Sequence, residues 1–229
     1  DLHRVDRRQR QMCIRDRIRV MPIQGEKLQS EGTTNIHPKW HPTENSYLYL
    51  SNKGNDYFGQ TNLYFHDLNT GEDKKIKSGV FSAPTWHSNG EVIYYSRKPK
   101  FPNKNGSKFY DIYSFNIIDD EEKRLTNDLR AFSPVFIEND STIAYLATYD
   151  GGQNIFHINL TTRKTQKLTN YTDRSMISNL SFDEDNNRLL FDITRNHFRD
   201  IAYLSFEDSV LGYLFENKEW DERDADILD

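Results

Sequence analysis

The feature that most restricts this chain is a repeat of about 46 residues. Its markers are Trp40, Trp86, Phe136 and Phe182, spaced 46, 50 and 46 residues apart. The second copy is the clearest. Ala83-Pro84-Thr85-Trp86 leads through His87-Ser88-Asn89-Gly90 into Val92-Ile93-Tyr94-Tyr95. Asn-Gly tolerates positive φ at both central positions, so it suits a tight hairpin between two strands. The first copy runs from His37-Pro38-Lys39-Trp40 to Tyr47-Leu48-Tyr49-Leu50, and the third from Ser133-Pro134-Val135-Phe136 to Ile143-Ala144-Tyr145-Leu146. The fourth runs from Asn179-Leu180-Ser181-Phe182 to Arg188-Leu189-Leu190-Phe191. A period of this length signals an array of supersecondary units rather than one continuous sheet.

Each copy has a second half. Asn62–His66, Asp111–Phe115, Asn154–Ile158 and Asp200–Leu204 are rich in aromatic and β-branched residues, and each is followed by a polar turn and another short run. That composition suits strands. Four short antiparallel strands per copy match one blade of a β-propeller. The fold expected is therefore all-β, a β-propeller of four-stranded antiparallel blades, with no helix indicated. Complete blades are expected at about 34–77, 80–127, 130–170 and 174–216. Parts of flanking blades are expected at 18–33 and 217–229. The chain then reads as an incomplete piece of a ring of six or more blades, whose raw strand edges favour self-association.

Residues 1–17 stand apart. They hold six of the arginines and the only cysteine, Cys13, with no strand period. They are read as a non-native or disordered basic segment and set aside from the fold, 18–229 being the propeller. Removing their six basic and three acidic residues from totals of 30 and 35 leaves a body of net charge −8. Such a body is poorly suited to nucleic-acid phosphates, so no nucleic-acid partner is expected. With 28% charged residues the chain is polar, but 13% aromatic content supplies core, because Tyr and Trp bury large areas. No run approaches the length of a membrane span.

Pro-x-Trp, a polar hairpin, Ile93-Tyr94-x-Ser96, Asp111-Ile112-Tyr113 and a closing Leu125-Thr126 or Leu168-Thr169 resemble the TolB-type, WD40-like (PD40) propeller repeat. The resemblance covers about 18–229. It departs at the first turn of each copy, where family blades carry Ser-Pro-Asp-Gly. The resemblance implies a non-catalytic protein-interaction or ligand-binding platform in the periplasm or elsewhere in the cell envelope, with a protein partner. A second implied reading is the substrate-gating propeller of a larger peptidase similar to prolyl oligopeptidases and dipeptidyl peptidases, its catalytic domain lying outside this chain. A third is a metal-dependent propeller lyase.

Interaction candidates come from two kinds of connection. The links between copies contribute Arg130, Phe132, Tyr171, Asp173 and Arg174, expected to be exposed. The longest loop, 97–108, has five basic and no acidic residues; it contributes Lys98, Lys100, Phe101 and Lys104 as a grip for an acidic partner or polysaccharide. Loops carry function more often than strands. His37, His41 and His87 recur near first strands, but the third and fourth copies carry Ile137 and Asp183 at the His41/His87 position. They are read as turn formers rather than metal ligands, and no cofactor is expected. Asp119–Glu122 and Asp183–Asp185 lack a calcium-loop pattern and are read as exposed turns. Trp40, Trp86, Tyr49 and Tyr95 are placed in the core between blades rather than on a sugar platform. No Gly-x-Ser-x-Gly elbow, His-Glu-x-x-His helix or Gly-x-x-x-x-Gly-Lys loop occurs, so no catalytic residue is assigned.

Overall fold

A computed structural model describes residues 33–55, 57, 59–137, 141–149, 151–207 and 210–215. The basic segment 1–17, most of the flanking part-blade 18–33, the part-blade 217–229 and the third first-turn residues 138–140 lie outside the described residues. Sixteen strands form four separate sheets, each a meander of four consecutive antiparallel strands. The first sheet holds β1 (Asn35–Trp40), β2 (Ser46–Ser51), β3 (Asn62–Asp67) and β4 (Asp73–Ser78). The second holds β5 (Thr85–Trp86), β6 (Val92–Arg97), β7 (Asp111–Asn116) and β8 (Glu121–Arg124). β9 (Ala131–Ile137), β10 (Thr142–Tyr149), β11 (Gly152–Asn159) and β12 (Thr165–Lys167) make the third. β13 (Met176–Asp183), β14 (Arg188–Arg195), β15 (Phe198–Ser205) and β16 (Leu211–Phe215) make the fourth. The described residues contain no helix, and the four sheets stand as blades of a β-propeller.

The second strand of each sheet shows why the blades stack. Side chains alternate across a strand. In β6, Ile93 and Tyr95 pack with Leu48, Leu50 and Leu63 of the first blade, whereas Tyr94 packs with Ile143, Tyr145 and Ala147 of the third. In β10 the intervening residues Ala144 and Leu146 join Leu189, Phe191 and Ile193 of the fourth blade. The second and third blades thus each present one apolar face to either neighbour and bury both. The outermost strands are different. β8 and β12 are short, and β4, β8 and β12 carry Lys74, Lys75, Glu121, Lys123 and Lys167. Charged, brief edges discourage pairing with other chains.

The marker aromatics close these interfaces. Trp86 sits edge-on to His41 at 4.6 Å and to Phe65 at 6.3 Å, both in the preceding blade. Phe136 repeats this one blade on, 4.3 Å from His87. Phe182 packs in the same cluster as Ile137. So the imidazole after one marker receives the next marker at the first two junctions, and Ile137 stands at the equivalent position in the core that Phe182 joins. The four markers are not equivalent, however: Trp86 is buried, whereas Trp40, Phe136 and Phe182 are half-buried.

A second recurrent device ties the third strands of the second and third blades to the links that leave them. Asp111 is fully buried. Its carboxylate accepts hydrogen bonds from Thr126 Oγ1 (2.8 Å) and from the backbone N–H groups of Asp128 (3.0 Å) and Leu129 (3.2 Å). It also pairs with Arg124. Thr126 Oγ1 in turn accepts from the Ile112 N–H at 2.9 Å. In the third blade Asn154 and Thr169 form the same clasp. The Asp-Ile-Tyr and Leu-Thr signatures are therefore two halves of one linker anchor.

Three of the four first strands, β1, β9 and β13, share an irregularity. Register shifts interrupt their pairing where His37, Ser133 and Asn179 adopt positive φ, each three residues before its marker. These are β-bulges, which re-aim side chains and increase twist.

Candidate interaction face

In a meander of four strands the connections alternate between the two ends. One end carries the turns after first and third strands. The other carries the hairpins after second strands and the links between blades. The two ends differ sharply in chemistry. Among the described residues the turn end exposes Glu44, Glu72, Glu91, Asp119, Asp120, Glu184, Asp185 and Glu207, with Arg163 and Lys164 as the only basic residues in its turns. The link end exposes Lys53, Lys98, Lys100, Lys104, Lys108, Arg130 and Arg174. Its two described acidic turn residues, Asp128 and Asp173, are paired with Arg124 and Arg195. Every exposed aromatic side chain among the described residues also lies at the link end: Tyr57, Phe81, Phe101, Tyr149 and Phe198.

All nine sequence candidates map to this end, but not all reach its surface. Lys98, Lys100, Phe101 and Lys104 are exposed, with Phe101 at 72%. Their loop has a built tip. Asn103 Oδ1 accepts from the N–H groups of Asn105 and Ser107, both at 3.0 Å, and Lys108 Nζ reaches back to the Lys100 carbonyl at 2.7 Å. Arg130 is exposed and lies 4.5 Å over the Phe109 ring. The adjoining Ala131 N–H donates to the Tyr110 carbonyl at 2.8 Å, so the long loop and the next link are held together. Phe132 departs from the expected exposure: it is half-buried and packs into the core between the third and fourth blades.

Tyr171 also departs from it. It is 8% exposed and belongs to that same core. Asn154 explains this by holding the Tyr171 backbone from both sides, accepting its N–H at 2.6 Å and donating to its carbonyl at 3.0 Å. Burial pushes the Tyr171 hydroxyl up to about 12. Asp173 and Arg174 are exposed. The Ser175 hydroxyl, with Arg195 at 2.9 Å, holds the Asp173 carboxyl below its ordinary range. Tyr57, Phe81, Tyr149 and Phe198 escaped the sequence reading, although sorting connections by parity would have grouped them with Phe101.

The histidines are committed elsewhere. His41 Nδ1 accepts from the N–H groups of Thr43 (3.2 Å) and Glu44 (3.0 Å), which leaves Nε2–H to donate to the Gly90 carbonyl at 3.1 Å. His87 Nδ1 accepts from the Asn89 N–H at 3.1 Å. Both imidazoles organise first turns. Asp183 performs that duty in the fourth blade and is buried rather than an exposed turn residue. Its carboxylate accepts from Asn186 and from Arg188 Nε at 2.8 Å. Burial works to raise its pKa, but these hydrogen bonds outweigh it and hold the group below the usual range. Glu122 likewise is half-buried, bound to the Tyr95 hydroxyl and Arg97. Among the described residues no three His, Cys, Asp or Glu side chains gather as a metal set, and no helix is long and apolar enough to cross a membrane.

Gly90 is fixed by the same contact. Its φ is +72°, and a Cβ there would stand 2.4 Å from the His41 ring. Gly90→Ala is expected to lower stability by about 2 kcal/mol, from backbone strain and the pushed imidazole. Chemical denaturation checks this, and an unchanged midpoint would contradict it.

Among the described residues the fold is a propeller whose two ends differ in charge and in exposed aromatic side chains. Its fold is that of TolB. The chain superposes on TolB from Acinetobacter baumannii with a TM-score of 0.67 at 16% identity, covering 84% of this chain and 46% of that one. It also matches an oligogalacturonate lyase from Vibrio parahaemolyticus (TM-score 0.60, 13% identity, 82% and 55% covered). The propeller of a prolyl endopeptidase is similar too (TM-score 0.55, 14% identity, 81% and 30% covered). This chain thus spans about half the length of the TolB and lyase chains. No protein-family model matches the sequence, and no curated protein does.

Proposed function

We propose that this propeller is a non-catalytic protein-interaction platform of the cell envelope, TolB-like in use as in fold, and that it meets its partner through the link end. The observation that carries this is the confinement of all exposed aromatic side chains among the described residues to that end. Exposed apolar groups gathered on one face mark interaction sites. Aromatic residues and arginine are enriched at protein interfaces. The periplasmic location belongs to the same proposal and rests on the likeness to TolB.

Site-specific photocrosslinking in the cells that make the protein tests it. Benzoylphenylalanine at Tyr149 or Phe198 is expected to give a discrete protein adduct, and the same group at Ile118, exposed at the turn end, is expected to give none. Equal labelling from both ends, or none from either, would remove the reading. The likeness to a prolyl endopeptidase propeller supports a second reading, in which the blades gate substrate for a peptidase domain encoded beside them. A hydrolase domain in the complete reading frame would favour it.

A further inference from the structure

We infer that the second blade's long loop, residues 98–110, together with Phe81, is a docking site for an acidic peptide segment bearing apolar side chains. This rests on the platform reading and adds the chemistry of the partner. Three cation–aromatic pairs line this corner of the link end. Lys98 Nζ lies 5.0 Å from the centre of the Tyr110 ring, and the Phe81 ring stacks on Tyr110 at 4.7 Å. Lys100 Nζ lies 5.4 Å over Phe101, and Arg130 lies 4.5 Å over Phe109. Among the described residues none of Lys98, Lys100 and Lys104 has an ion pair, and the loop contains no carboxylate of its own. Phe81 and Phe101 are 53% and 72% exposed. Cations and exposed rings therefore stand side by side, and among the described residues no carboxylate neutralises the three lysines.

The chemistry selects among polyanions and sugars. A neutral saccharide carries no negative charge, so it would leave the three lysines without a counter-charge. The exposed rings Phe81 and Phe101 also lack the polar handle with which tyrosine and tryptophan serve amphipathic ligands. A nucleic-acid strand carries a charge at every nucleotide and gains no apolar contact for Phe81 and Phe101 from its backbone, while the chain as a whole is net negative. A short acidic peptide places its carboxylates on the lysines and its apolar side chains on the rings. The tip is already closed by its own hydrogen bonds, so binding orders little more of the chain.

Fluorescence anisotropy with the whole chain tests this. The probe is a labelled peptide of about twelve residues alternating glutamate with leucine and phenylalanine. Comparators are the same peptide with lysine for glutamate, an oligouronate and an oligothymidylate. The acidic peptide is expected to bind best, and to weaken as salt rises from about 50 to about 300 mM. Lys98→Glu/Lys100→Glu/Lys104→Glu is expected to weaken it about tenfold or more. Phe81→Ala and Phe101→Ala are expected to weaken it about fivefold each, and Ile118→Ala to leave it unchanged. Circular dichroism confirms that each variant is folded. Failure of the acidic peptide to bind, insensitivity to charge reversal, or tighter binding of either comparator polymer overturns the inference. If crosslinking from Tyr149 and Phe198 persists in that case, the platform stands and only the partner chemistry is wrong; if crosslinking also fails, both fall.

Discussion

Replacing Trp86 with alanine is expected to lower the stability of the propeller by about 3–5 kcal/mol, the range for deleting a buried aromatic side chain. The melting temperature is expected to fall by roughly 6–20 °C in a domain of this size. Trp86 is 6% exposed and packs against Leu48, Leu50 and Leu63 across the junction of the first two blades. Its ring meets His41 and Phe65, and its indole N–H donates to the Lys39 carbonyl at 3.3 Å. Truncation opens a cavity between two sheets that cannot slide together, because His41 is fixed by its own turn. It also removes the hydrogen bond that the indole gives the Lys39 carbonyl. Trp86→Phe keeps most of the volume and loses the hydrogen bond, so it is expected to cost about 1–2 kcal/mol. Trp40→Ala supplies the comparison. Trp40 is half-buried and meets Tyr47 edge-on at 5.6 Å within its own blade, so its loss is expected to be the smaller. Thermal unfolding followed by circular dichroism ranks the three variants. A melting temperature for Trp86→Ala within a degree of the parent would show that the blade junction does not depend on this ring.

The equivalence of Trp40 and Trp86 in the sequence illustrates what a repeat reveals and what it hides. Periodicity and alternation are local properties, and they made the four sheets legible: Tyr47, Leu48, Tyr49 and Leu50 already show the two faces of β2. Environment is not local. Trp86 is buried because the first blade precedes it, and nothing around residue 86 records that neighbour. The same holds for Tyr171, which stands in a polar link and reads as surface until Asn154, 17 residues earlier, pins its backbone. Asp183 reads as one carboxylate in an acidic turn, but Arg188 and Asn186 fold back over it. The link end was half legible. Its basic loop stood out by composition. Tyr57, Phe81, Tyr149 and Phe198 did not, because they lie far apart in sequence and share only the parity of their connections.

The linker clasp gives a prediction of similar size from electrostatics rather than packing. Asp111→Ala is expected to cost about 3–5 kcal/mol: two part-buried backbone N–H groups and the Thr126 hydroxyl lose their acceptor at about 1–3 kcal/mol for each group left unsatisfied, while Arg124, partly exposed, keeps Asp128. Four donors converge on that carboxylate: the Thr126 hydroxyl, two backbone N–H groups and the Arg124 guanidinium. Alanine leaves the two N–H groups without an acceptor in the link that carries the chain from the second blade to the third. Asp111→Asn separates geometry from charge. The third blade shows that an asparagine can hold the clasp, since Asn154 Oδ1 accepts from Thr169 and from the Tyr171 N–H while its amide donates to the Tyr171 carbonyl. At Asp111 the partners are donors only, so one face of an asparagine would turn an N–H toward Arg124 and the Asp128 N–H. An intermediate loss of about 1–3 kcal/mol is expected. Asn154→Asp meets the opposite conflict, a carboxylate oxygen against the Tyr171 carbonyl, and is expected to destabilise by a similar amount. Urea unfolding of the three variants decides the matter. Equal losses for Asp111→Ala and Asp111→Asn would mean that charge alone holds the link, and no loss in either would mean that the link is held by the packing of Leu125 and Leu129 instead.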